Sequence, residues 1–160
     1  MIDDFLRAGF PALIVLTHEP GRAEENLSNL DGWQYVAWDC ARGIRKEGSL
    51  IEEAQDPLEA LSFLDGKRDT VLFAHNLHLF LDSPEIIQAI QNGVERWKTF
   101  GSCLVILAPS IGLPPELDKC FAVVDYPLPS EAELYQIQTE IGSVVNVHPH
   151  EASSNAAKGL

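Results

Sequence analysis

The chain of 160 residues carries 11 Lys and Arg against 24 Asp and Glu, a formal net charge of −13 at pH 7 with histidine neutral. That acidity leaves no electrostatic footprint for DNA, RNA or an anionic membrane, and 46% hydrophobic with 22% charged residues is the composition of an ordinary globular protein. The length suits one domain whose core needs no disulfides, so Cys40, Cys103 and Cys120, odd in number and in or beside apolar runs, read as small buried hydrophobes in a reducing cytoplasm.

The amino terminus, Met1-Ile-Asp-Asp4, has neither the basic nor the apolar region of a secretory signal, and no apolar run approaches the ~20 residues that span a bilayer. The expected compartment is the cytoplasm. Phe10-Pro-Ala-Leu-Ile-Val-Leu-Thr17 predicts a buried strand over Ala12–Leu16, and a helix follows almost at once from Gly21-Arg-Ala-Glu-Glu-Asn-Leu27. Further strands are predicted over Gln34–Trp38, Thr70–Ala74, Cys103–Leu107 and Phe121–Asp125. Their runs are apolar throughout, as in strands covered on both faces. Trp33 and Tyr35 share one face at the second strand and Trp38 takes the other; burial on both sides accounts for them, with a ligand-stacking platform as the other reading.

Between Asp39 and Asp56 a polar stretch reads as an exposed loop that holds the basic cluster Arg42, Arg45 and Lys46. Asp56-Pro-Leu-Glu59 opens a helix with Leu58, Leu61 and Leu64 inward, and Ser83-Pro-Glu85 opens a longer one with Ile86, Ile90, Val94 and Trp97 on one face. Ser130-Glu-Ala-Glu133 is a capping box before a helix carrying Leu134, Ile137 and Ile141 inward. Strands alternating with helices predict an α/β fold with a mainly parallel sheet. The expected organisation is one domain over residues 1–147, then a linker from His148-Pro-His150 that starts a further helix, truncated from a longer protein.

The first strand-to-helix junction decides the chemistry. In a phosphate-binding loop it reads G-x-x-x-x-G-K-S/T, with glycines that let backbone N–H groups cradle phosphate and a lysine that reaches the terminal phosphates. Here Thr17-His-Glu-Pro-Gly-Arg-Ala-Glu-Glu25 offers one glycine, no lysine, a proline without an N–H, and three carboxylates. Acids at a helix start compete with an anion for the positive end of the dipole, and Thr17 and Glu24 are the expected caps of that first turn.

Taken in order, these segments resemble an AAA+ ATPase core. The most telling stretch is Leu117-Asp-Lys-Cys-Phe-Ala-Val-Val-Asp-Tyr-Pro-Leu-Pro-Ser-Glu-Ala-Glu-Leu134, similar to the AAA+ segment in which a leucine–aspartate and an arginine pair precede a phenylalanine, a strand and a proline-led helix. Cys103–Leu107 and the following Ala-Pro-Ser-Ile-Gly-Leu-Pro-Pro-Glu-Leu117 resemble the sensor-1 strand and its loop. The entry Arg7-Ala-Gly-Phe-Pro11, Thr17-His-Glu19, Trp38-Asp39 with Ala41-Arg-Gly43, and Asp56-Pro-Leu-Glu-Ala-Leu61 extend the resemblance over nearly the whole chain. More closely, the chain resembles the degenerate amino-terminal domain of bacterial and plastid AAA+ ATPases of the conserved chloroplast reading-frame type, in which an ATPase-like domain precedes a complete one.

The resemblance implies a three-layer fold with five parallel strands in the order 5-1-4-3-2 and helices on both faces. It also implies what is lost. Thr17, His18, Glu19, Gly21 and Arg22 stand where the nucleotide loop would be. His75, Asn76 and His78 stand where paired acids would hold Mg²⁺; Pro109 or Ser110 falls at sensor 1, and Lys119-Cys120 replaces the arginine pair. The expectation is a non-catalytic domain without a cofactor of its own, ATP and Mg²⁺ belonging to a following ATPase domain. That domain and neighbouring subunits of an oligomer are the expected partners, with Arg42, Arg45 and Lys46 as the candidate interface. Two other readings stay open: a nucleotide sensor without hydrolysis that uses Arg22 or the Arg42–Lys46 loop, and a metal-dependent hydrolase built on His75, His78 and an acid such as Asp39.

Overall fold

The computed structural model of the chain describes residues 2–127. A short helix α1 (Asp3–Arg7) leads into β1 (Ala12–Leu16), α2 (Pro20–Leu27), β2 (Gln34–Asp39), β3 (Gly43–Lys46), β4 (Ser49–Glu52), α3 (Pro57–Leu64), β5 (Thr70–His75), α4 (Pro84–Phe100), β6 (Cys103–Ala108) and β7 (Ala122–Asp125). Single 3₁₀ turns follow β5 (Leu77–Phe80) and precede β7 (Pro115–Leu117). The helix expected after Ser130, the residues His148 and His150, and the boundary drawn at residue 147 lie outside the described residues.

The sheet has seven strands in the order β4-β3-β2-β5-β6-β1-β7. The expected five-stranded parallel sheet is therefore corrected to a larger, mixed one. Strands β2, β5, β6, β1 and β7 are parallel neighbours, and the hairpin of β3 and β4 adds two antiparallel strands beyond β2. The segment read as an exposed loop between Asp39 and Asp56 is that hairpin. Its turn, Glu47-Gly48, has φ of 51° and 80°, the left-handed pair that a two-residue hairpin turn requires. Glutamate at the first of those positions is an unusual occupant, so the turn carries little of the Asn-Gly or Asp-Gly signal that announces such hairpins. Gly43 is fixed by space as well as by its φ of 86°: a Cβ there would stand 2.6 Å from the carbonyl oxygen of Glu52.

Apolar residues on both sides of the parallel strands build two cores. Ala12, Ile14, Trp38, Leu72 and Ile106 face one cluster with α3 and α4, while Leu13, Val15, Ala37, Phe73 and Val105 face the other with α1 and α2. Helices thus cover both faces of the sheet. Tyr35 and Trp33 pack on the α2 side and Trp38 on the α3 side, as their alternation dictates, and Trp38 Nε1 donates to Ala54 O at 2.7 Å. Cys103 is buried and Cys120 half-buried, but Cys40 is exposed on the turn after β2, which corrects the reading of three buried thiols.

Asp56 caps α3 by accepting the Leu58 N–H at 2.8 Å. Ser83 stands at the cap position of α4 but makes no such bond; its hydroxyl donates to Glu85 Oε2 at 3.1 Å. Along α4 the buried residues are Ile86, Ile90, Gly93 and Trp97, with Val94 only partly covered. Gly93 makes room for the indole, because a Cβ there would lie 2.2 Å from Trp97 Cζ2. Alanine ordinarily stabilises a helix relative to glycine by about 1 kcal/mol. Gly93→Ala should instead lower stability, by about 1–3 kcal/mol in a denaturant titration, since the buried indole must leave its rotamer. An unchanged or raised midpoint would show that Trp97 yields at no cost.

Candidate functional site

Parallel strands send their carboxyl ends to one edge of the sheet, where α/β proteins place ligands. At that edge the β1–α2 junction is only Thr17, His18 and Glu19 long. Thr17 is buried; its N–H donates to Ala108 O at 2.8 Å and its Oγ1 accepts the Glu19 N–H at 2.9 Å. Pro20 opens the helix without an N–H, and the Ala23 N–H goes to Glu19 O. Arg22 Nη1 lies 3.2 Å from Glu19 Oε2, and the guanidinium stands 5.6 Å above the Tyr126 ring. His18 is exposed. Three residues are too few to fold back around a phosphate as an eight-residue glycine loop does. Glu19, at the cap position of α2, makes no side-chain cap hydrogen bond; of the two expected caps Thr17 takes the Glu19 N–H, just ahead of the first turn, and Glu24 takes none there.

Glu24 does something else. Its Oε2 lies 2.6 Å from His75 Nε2, tying α2 to the end of β5. Asn76 follows in the left-handed conformation, φ 60°, exposed, with its N–H on Leu107 O at 3.2 Å. His78 turns away into the 3₁₀ turn, where burial pushes its pKa down and its Nδ1 is buried without a hydrogen-bond partner. Among the described residues no three His, Cys, Asp or Glu side chains gather to hold a metal. No serine, threonine or cysteine among them hydrogen-bonds to the His75 imidazole, so the carboxylate–imidazole pair orients a ring without presenting a nucleophile to it. Ser110 and Lys119 are exposed, and burial raises the Cys120 thiol.

The basic cluster divides. Arg42 is exposed and donates through Nε to Asp39 Oδ2 at 2.8 Å, while Asp39 Oδ1 accepts the N–H groups of Ala41 and Arg42 at 3.0 and 2.7 Å. Arg45 sits on β3 with only 13% of its side chain exposed; its Nη2 is 3.6 Å from Asp39 Oδ2, and its Nε and Nη2 are buried without hydrogen bonds. Lys46 reaches back to Gln34 Oε1 at 2.5 Å, at the start of β2. Arg45 and Lys46 line a cleft of about 540 Å³ against α2, with Glu24, Trp33, Tyr35 and Phe73. The three cations are thus not one solvated patch on a loop, which corrects the sequence expectation: Arg42 belongs to the carboxyl end of β2, Lys46 to the opposite end, and Arg45 to the interior. What sequence missed was the hairpin, which alone puts Arg45 across from Ala37 on the sheet.

A model of the SpoVK-like AAA ATPase N-terminal domain matches residues 1–126. Among curated proteins the chain is similar to an uncharacterized AAA domain-containing protein ycf46 of Guillardia theta, 24% identical over 170 aligned residues, covering 97% of this chain and 33% of that protein. It is also similar to the ycf46 protein of Pyropia yezoensis, 26% identical over 154 residues, covering 89% and 31%. The chain spans about a third of the length of these relatives. Among solved structures it resembles a variant of Thermotoga maritima RuvB, with a TM-score of 0.58 at 13% identity over 95% of this chain and 51% of that one. It likewise resembles a chain of the HORMA:CdnC:Trip13 complex of E. coli MS115-1, with a TM-score of 0.56 at 9% identity over 90% and 57%.

Two outcomes follow from the Asp39 cluster. Arg42→Glu should cost within about 1 kcal/mol, as exposed charges do, whereas Arg45→Glu buries a second carboxylate beside Asp39 and should cost about 3 kcal/mol or more in the same titration. Equal effects would contradict the burial of Arg45. Burial alone would raise the Asp39 carboxyl, but the N–H of Arg42, its guanidinium and the N–H of Ala41 outweigh it and hold the pKa below the ordinary carboxylate value. A depressed carboxyl contributes stability above its unfolded pKa and loses it as pH falls through the folded one. Asp39→Asn should therefore flatten the loss of stability below about pH 4; an identical acid profile for both proteins would contradict this.

Proposed function

The chain belongs to the family of SpoVK-like AAA ATPase N-terminal domains, and from that premise we propose that it is a non-catalytic AAA+-like domain serving the assembly or regulation of a larger AAA+ ATPase. One observation carries the proposal: the crevice where phosphate and metal would be held is spanned by the chain's own Glu24–His75 contact and bounded by a three-residue junction. Phosphoryl transfer is catalysed by positioning and charge neutralisation. A lysine on the phosphates, carboxylates on Mg²⁺ and an arginine on the developing charge each supply part of that. Here their places hold Arg22 turned to Glu19, His75 turned to Glu24, and Lys119. Nothing is left to lower the barrier.

In this reading ATP and Mg²⁺ act in a following domain, the partners are that domain and its neighbouring subunits, and the protein works in the cytoplasm. The described residues contain no helix long and apolar enough to cross a membrane. The nucleotide-sensor reading is less well supported, because Arg22 and Arg42 are both drawn to carboxylates of the chain.

Purified chain at saturating Mg²⁺-ATP should release phosphate at the rate of a buffer blank. Turnover abolished by His75→Ala or Asn76→Ala would overturn the proposal. In a full-length ATPase carrying this domain, its deletion should change assembly or turnover of the remainder; a deletion without effect on both would remove the assembly role.

A further inference from the structure

The outer edge of the sheet is β4, the last strand in the order, and Ser49, Leu50, Ile51 and Glu52 are all exposed. One side of its backbone has no ladder partner among the described residues. Edge strands are usually blunted by lysine, proline or a bulge that turns them away. Here the register passes from Arg45↔Leu50 to Ile44↔Glu52, so Ile51 is the extra residue of a bulge on β4, yet Leu50 and Ile51 stay 52% and 48% exposed. Beside it a shallow groove of about 570 Å³ runs from the end of β4 to α3, floored by Ala54, Leu58 and Phe63 and rimmed by Glu52, Glu53 and Glu59.

The charge on this edge selects its occupant. Neither those three carboxylates nor Glu47 in the hairpin turn takes part in an ion pair among the described residues. The nearby cations are turned elsewhere: Arg45 to Asp39, Lys46 to Gln34, and Lys67 onto the Phe63 ring at 4.8 Å. Two copies of this edge would bring like carboxylates together, which opposes pairing with itself. An extended segment with alternating apolar and basic side chains satisfies every feature at once. Its backbone continues the ladder, its apolar residues pack on the exposed Leu50, and its Lys or Arg side chains meet the glutamates. We infer that β4 is a docking edge that takes a basic, extended segment of a partner protein as an added strand. This deepens the reading of the domain as an assembly module and rests on it for its role in the cell.

The test uses the 160-residue chain, isotope-labelled, and a short end-blocked peptide alternating valine and lysine. Two control peptides have glutamate in place of lysine, or N-methyl groups on the amides of one hydrogen-bonding edge. The Val–Lys peptide should move the amide signals of Ser49–Glu52 and slow their hydrogen exchange about tenfold or more, and neither control should. Raising salt from about 0.05 to 0.3 M should weaken binding severalfold. Glu52→Lys with Glu53→Lys, both exposed, should reduce affinity about tenfold or more while leaving the melting temperature within about 2 °C. The inference is overturned if the Val–Lys peptide does not bind, if it perturbs other residues alone, or if the N-methylated peptide binds equally well. Edge protection that grows with protein concentration in the free chain would assign the edge to a second copy and overturn it too. The readout is peptide binding, so failure here leaves the turnover result standing, and turnover would leave this one standing.

Discussion

Helix α2 is held to the rest of the sheet edge by a contact between Glu24 and His75, 51 residues apart in sequence and 2.6 Å apart in space. In a working enzyme of this fold the same gap, between the helix after the first strand and the end of the acid-bearing strand, is bridged through bound metal and phosphate. A carboxylate and an imidazole can make the bridge without a ligand. Once they do, the helix no longer needs a long glycine loop to reach a nucleotide, and three residues suffice to join it to β1. The Thr17 hydroxyl then turns inward on the Glu19 N–H, and Arg22 closes on the Glu19 carboxylate. The short junction, the inward threonine and the arginine pair are consistent consequences of a crevice closed from within.

The other departure from an all-parallel sheet is the β3–β4 hairpin. It makes β2 an interior strand, which explains why Trp38 is wholly buried and why its indole N–H can find Ala54 O on the segment that returns from the hairpin. It also carries Arg45 into the interior beside Asp39. A desolvated guanidinium is tolerable only near a carboxylate, so Asp39, which also accepts two backbone N–H groups of the turn, fixes both the turn and the cation. The cost of this extension is a new outer edge, with two half-exposed aliphatic side chains and a rim of glutamates.

Much of this was legible from residue order alone. Runs such as Cys103–Ala108 are apolar on both faces, and only a covered parallel strand satisfies them, so the five parallel strands and the two helical layers follow from sequence. Asp56 and its proline marked α3 because a side-chain acceptor before a residue without an N–H has few other uses. The hairpin was hidden because Glu47 occupies a position where asparagine or aspartate would have announced the turn, and because its strands are too short and polar to show a period. At the site, the missing lysine and missing acids were readable as absences. The contact that replaces them was not: nothing local to Glu24 points to His75, and only the crossover of α2 from β1 to β2 brings the two together.

In the proposed reading the Glu24–His75 contact takes the place of bound phosphate and metal in this crevice. The most direct measurement is a titration of the labelled chain with Mg²⁺-ATP and Mg²⁺-ADP, following the backbone amides of Gly21 and Arg22 and the ring signals of His75. These signals should stay in place to about 1 mM nucleotide, with the His75 ring retaining its Glu24 partner. Saturable movement of all three at micromolar nucleotide would mean that the pair opens to admit phosphate, and would contradict a crevice closed by the chain's own groups.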